Sequence, residues 1–177
     1  MHFDSRIPIL WLSNLLLLLL TMMVNSRLAP YSLYLILPGL MLILPALYLK
    51  SPSLIVLCFI TGISIDSLLP QPHWIFTYGF PFIGLLIRSI RSHFRTEKSY
   101  RFLMLAHIAN FSCLALIYLS QGIVFGQFYD SLAPITFMGL LSHLILCLIA
   151  PWFFNFQRMM LGLFHMEHAY QDEFSKL

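Results

Sequence analysis

Charge is scarce in this chain. Aspartate and glutamate number 7, and lysine and arginine 10, among 177 residues, or 10% of the whole. An ordinary soluble domain carries about 25% charged residues. The shortfall excludes a water-exposed surface over most of the chain, and soluble enzyme folds with it. Cysteine is sparse too. Cys58, Cys113 and Cys147 lie singly in apolar runs and form no CxxC pair, which argues against a disulfide framework and a thiolate metal site. There is no Walker loop, no GxSxG, no HExxH and no pair of carboxylates within one apolar run. A non-enzymatic protein without catalytic residues, cofactor or metal is therefore expected. The net charge of +3 is gathered largely in one loop, which suits membrane topology better than nucleic-acid binding.

Apolar residues fill the space that charge leaves: they make up 59% of the sequence. Six apolar runs stand out, Ile7 to Val24, Leu33 to Leu49, Ser53 to Leu69, Trp74 to Ile87, Phe102 to Leu119 and Ala133 to Phe154. Most approach the ~20 residues that cross a bilayer core. The expected fold is thus an all-α membrane bundle of six transmembrane helices, forming one domain. The first run follows Arg6 and could be read as a signal peptide, but Val24-Asn25-Ser26 is a poor cleavage site and further spans follow it. Lys50-Ser51-Pro52 joins the second and third runs in a tight hairpin, and Pro134 suits the first turn of the sixth helix.

Lysine and arginine set the orientation. The loop after the fourth run holds Arg88, Arg91, Arg95, Lys98 and Arg101 against Glu97 alone. Such a loop stays in the cytoplasm. Six spans then put both termini there, with Arg6, Lys50, Arg158 and Lys176, leaving only Arg27 outside. Beyond the sixth run, Phe156, Met159, Met160, Leu163 and Phe164 make an apolar helical stripe. Residues 155–177 therefore read as a cytoplasmic amphipathic segment and tail. The stripe either lies on the membrane, extends the sixth helix or docks a partner.

Polar residues inside the runs are the candidate functional groups. In Phe59-Ile60-Thr61-Gly62-Ile63-Ser64-Ile65-Asp66, the carboxylate lies thirteen residues past Ser53, about 20 Å along a helix. Gly62, one turn earlier, shares its face and allows another helix close. The pair reads as a partner-binding contact near the outer surface. The competing reading is an interfacial aspartate that snorkels to water and caps Gln71 to Trp74 as they start the next helix. His107 and Asn110 in the fifth run, and Ser142 and His143 in the sixth, read as hydrogen-bonding contacts between helices. A proton relay through the histidines lacks an accompanying carboxylate. Pro38, Gly39 and Pro45 in the second run free backbone groups that neighbours must satisfy. Gly79, Pro81 and Gly84 do the same in the fourth. Broken helices of this kind mark binding sites in transporters and are also common in membrane helices generally.

From about Pro30 through Tyr118 the chain resembles the bacterial rod shape-determining membrane protein family MreD. The resemblance rests on Pro30 ahead of the second span, Gly62 and Asp66 in the third, a glycine- and aromatic-containing fourth, the basic loop and an apolar fifth. The chain departs from the family just after the aspartate, where Leu69-Pro70-Gln71-Pro72-His73-Trp74 has no glycine. The resemblance implies a scaffold of the cell-elongation complex in the inner membrane. It would bind MreC and connect to MreB and to the transglycosylase–transpeptidase pair that builds side-wall peptidoglycan. It also implies a fold similar to the substrate-binding S components of energy-coupling vitamin transporters, and hence an alternative, a small-molecule-binding transporter subunit. Asp66, His73, Gln121 and Gln127 are most of the outward polar residues available to such a pocket. A proton-coupled transporter using His107 or Asp66 is a third idea.

Overall fold

The computed structural model describes residues 4–68, 74–90, 99–126 and 128–163. Every regular element among them is helical. Helix α1 spans Arg6–Leu28 and runs into a 3-10 turn, Ala29–Tyr31. Five helices follow: α2 Leu40–Tyr48, α3 Ser51–Asp66, α4 Ile75–Ile90, α5 Ser99–Phe125 and α6 Phe128–Leu163.

Local chemistry accounts for several boundaries. Asp4 accepts the Arg6 backbone N–H at 3.1 Å and grips its guanidinium at 2.9 Å, so a carboxylate sits at the N-terminus of α1. Partial burial works to raise the Asp4 carboxyl, but the Arg6 hydrogen bonds and charge, with Lys50 nearby, hold it below its ordinary value. Pro52 occupies the first turn of α3, where its missing N–H is no loss.

All nine residues of α2 are buried, from Leu40 to Tyr48. A helix that is apolar all round must be surrounded, and α2 touches each of the other five helices. The core is built on it, with Leu10, Leu54, Phe80, Ala106 and Phe153 fully or almost fully buried nearby. The outward faces are apolar as well: on α6, Leu140, Leu144 and Leu148 are exposed, Leu148 at 80%. Such a face suits lipid rather than water.

Among the described residues three segments are long and apolar enough to cross a membrane by themselves: Arg6–Tyr31, Arg101–Ile123 and Phe128–Leu163. Helices α3 and α4 have 16 residues each, which gives about 24 Å against a core of about 30 Å. The second apolar run departs furthest from expectation. Its first half, Leu33 to Leu37, is non-helical, and only Leu40–Tyr48 forms a helix, since Pro38 cannot donate to a helical ladder. Helix α6 also differs. It begins at Phe128, which leaves Pro134 inside it and not in its first turn; at its other end it continues to Leu163, so Phe156, Met159, Met160 and Leu163 extend the sixth helix, one of the three readings of that stripe. Much of the basic loop (Arg91, Arg95, Glu97 and Lys98), the turn Leu69 to His73, Gln127 and residues 164–177 lie outside the described residues.

The two ends of the bundle differ in character. At one end Arg6, Arg88 and Arg158, from three helices, converge on the α2–α3 turn. Arg6 donates to the Tyr48 carbonyl at 2.9 Å, Arg158 to the Tyr48 hydroxyl at 3.2 Å, and Arg88 to the Leu49 carbonyl. At the other end lie Asp66, the extended segment and a cavity.

Candidate functional site

Asp66 is 1% exposed and accepts three hydrogen bonds from α4: Phe76 N–H at 3.2 Å, Thr77 N–H at 2.8 Å and Thr77 Oγ1–H at 2.6 Å. Phe76 and Thr77 lie in the first turn of α4, where backbone N–H groups lack partners within the helix. The carboxylate therefore caps α4 from across the hairpin and faces the positive end of its dipole. Trp74, just before α4, has a φ of 57°, a left-handed conformation uncommon for a bulky residue. Gly62 completes the junction, since a Cβ there would collide with the Phe76 carbonyl. Gly62 and Asp66, expected at a partner helix, are thus both occupied by α4 of the same chain. The carboxylate does not snorkel to water, because three donors bury it more favourably. It does cap the next helix, at Phe76 and Thr77; Gln71 to His73 lie outside the described residues.

The broken second run is held by side chains. Asn25 donates to the Leu35 carbonyl at 2.9 Å and accepts the Leu35 N–H at 2.7 Å. Ser142 accepts the Ile36 N–H at 2.9 Å, and Asn110 accepts the Gly39 N–H at 3.3 Å. Non-helical backbone at membrane depth needs such partners, because lipid offers none. Gly39 permits the approach to α5: a Cβ there would collide with the Asn110 backbone.

His107 and His143 do meet across α5 and α6, with their Nδ1 atoms 2.8 Å apart and their rings stacked at 5.0 Å. One nitrogen must donate and the other accept, so the contact holds when at least one ring is neutral. Cys147 Sγ lies 3.3 Å from His107 Nε2. Asn110, one turn from His107, bonds Gly39 at the start of α2, and Ser142 bonds Ile36 in the extended segment before it. Among the described residues no group of three or more potential ligands is arranged to hold a metal.

A buried polar network was not foreseen. Gln157 is fully buried and donates to Asn14 Oδ1 at 3.0 Å and Ser13 Oγ at 3.2 Å. Asn14 in turn donates to the Met41 carbonyl at 3.1 Å and reaches Thr61 Oγ1 at 3.5 Å. Four helices are joined there. A signal existed in α1: Asn14, Thr21 and Asn25 are spaced by seven and four, which puts one polar stripe along an apolar helix. Gln157 gave no such sign, since its neighbours Asn155 and Arg158 made it look like part of a polar face.

At the Asp66 end a partly open cavity of about 920 Å³ lies between α1, the Tyr34 to Pro38 segment, α5 and α6, with Ile65 and Phe76 at the α3–α4 junction also lining it. Its size is in the range of small-molecule pockets. No family model, no curated protein and no solved structure matches the chain. The described residues define the protein as an all-helical, apolar bundle that includes helices long and apolar enough to cross a membrane.

Proposed function

We propose that this chain is a non-enzymatic membrane scaffold of the MreD type, spanning the bacterial inner membrane six times with both termini in the cytoplasm. In this reading it binds MreC and helps control cell shape and side-wall peptidoglycan synthesis. The observation that carries the reading is the Gly62–Asp66 junction. The two residues on which the resemblance leans are built into the α3–α4 hairpin, where they set the close approach and the cap. A pair of that kind defines a fold, which is what a shared signature in a scaffold needs to do. In this reading α3 and α4, and the extended segment with α2, would supply the remaining crossings, with α2 packed among the other five helices. Because Gly62 and Asp66 are engaged internally, the partner surface moves to the exposed apolar faces of α1 and α6, such as Leu12, Leu19, Leu140 and Leu144. Depletion from a rod-shaped host should round the cells; unchanged shape and wall-insertion pattern would exclude the role.

A second reading, a substrate-binding subunit of a small-molecule transporter, is favoured by one observation, the cavity beside the broken second run. Binding sites at discontinuous helices are a recurrent transporter design. Loss of uptake of a specific metabolite on deletion would support it, and an unchanged uptake profile would remove it.

A further inference from the structure

The cavity has a composition that selects among ligands. Its walls include Leu18, Met22, Met41, Ile65, Ile117 and Met138, aliphatic or thioether side chains that adapt to an irregular apolar body. None of the described lining residues is acidic, basic or histidine. Among the described lining residues an ionised ligand group finds no counter-charge, and where it is buried it carries a desolvation penalty. The wall is also built rather than collapsed, because Asn25 and Ser142 fix the extended segment at Leu35 and Ile36.

Most polar groups in the lining are already used. Thr21, Ser26 and Ser120 donate to carbonyls of their own helices, and Asn25 is spent on Leu35. Tyr34 and Gln121 differ: both line the cavity, both are at least partly exposed, and neither side chain has a hydrogen bond among the described residues. A phenol and a primary amide donate and accept without carrying charge.

We infer that this cavity binds an uncharged amphiphile, its apolar body against the Met and Leu walls and its neutral hydrogen-bonding head at Tyr34 and Gln121. The inference deepens the second reading, on which it rests, by naming the class of molecule bound. Three photoreactive probes with one lauryl chain and different heads test it in membranes holding the full chain: a glycerol ester, a carboxylate and a trimethylammonium. The glycerol ester should label peptides carrying Met22, Tyr34 to Met41 and Ile117 to Gln121, in competition with unlabelled ester, and do so several-fold better than either charged probe. Tyr34→Phe with Gln121→Leu should reduce that labelling about fivefold for each hydrogen bond lost, with thermal stability unchanged. Met138→Trp, which fills the space from a partly exposed wall, should abolish it. Equal or stronger labelling of these peptides by a charged probe would overturn the ligand class while leaving a binding subunit in place. Labelling confined to lipid-facing residues such as Leu144 and Leu148 would overturn the site. Specific labelling without any uptake defect would leave the inference standing and remove the transporter reading.

Discussion

Asp66 on α3 holds Thr77 on α4 twice, through its backbone N–H at 2.8 Å and its hydroxyl at 2.6 Å. This contact closes the hairpin whose sequence carries the family resemblance. It predicts an order of severity. Asp66→Leu leaves buried donors at Phe76 and Thr77 without partners, at a cost of about 1–3 kcal/mol for each unsatisfied group. Asp66→Asn keeps one acceptor oxygen. Melting of the purified protein should therefore fall further for Asp66→Leu than for Asp66→Asn, and partner recovery should follow the same order. Equal melting of the two variants would remove the cap.

Gly62 should tolerate no side chain. Gly62→Ala pushes a methyl group into backbone atoms of α4, which cannot turn aside as a side chain can. Overpacking of this kind costs about 1–3 kcal/mol. Gly84→Ala is the comparison, since its Cβ would meet the Cys58 sulfur at 2.9 Å, a side-chain atom that can shift. The first substitution should lower the melting temperature clearly more than the second.

Asn25 should govern the order of the extended segment. Asn25→Ala removes both side-chain bonds to the Leu35 backbone. Amide exchange at Leu35 should accelerate strongly in that variant, while exchange within α6 stays slow. Unchanged protection at Leu35 would mean that Ser142 and packing hold the segment alone.

The helical class and the positions of the apolar segments were legible in the sequence because a deficit of charge and runs of apolar residues have few other outcomes. Pro38 and Gly39 announced a break, but nothing local announced that Leu33 to Leu37 would leave the helix altogether. That outcome depends on Asn25, Asn110 and Ser142 arriving from three other helices. Asp66 was legible as a cap in outline, since a carboxylate near a helix end faces the next chain turn. Its described partners are Phe76 and Thr77, in the first turn of an α4 that starts at Ile75. Gln157 was unreadable: its burial follows from the length of α6 and the facing Asn14, and neither is a local property.

The Asp4–Arg6 pair predicts a pH dependence at the arginine end. The folded protein holds the Asp4 carboxyl below its ordinary value of 3.8, so its contribution to stability is present above that value. It is lost as pH falls through the lower folded value. Asp4→Asn should therefore melt below the parent at neutral pH, and the gap should close on strong acidification. A gap independent of pH would assign the effect to the helix cap rather than to the charge.

Affinity purification of the tagged full chain in mild detergent, with mass-spectrometric identification of what accompanies it, tests the proposed scaffold role most directly. The predicted result is a bitopic MreC-type protein in stoichiometric amount, carrying with it the wall-building transglycosylase–transpeptidase pair. Recovery of the chain alone, or with a nucleotide-driven coupling subunit instead, would contradict it.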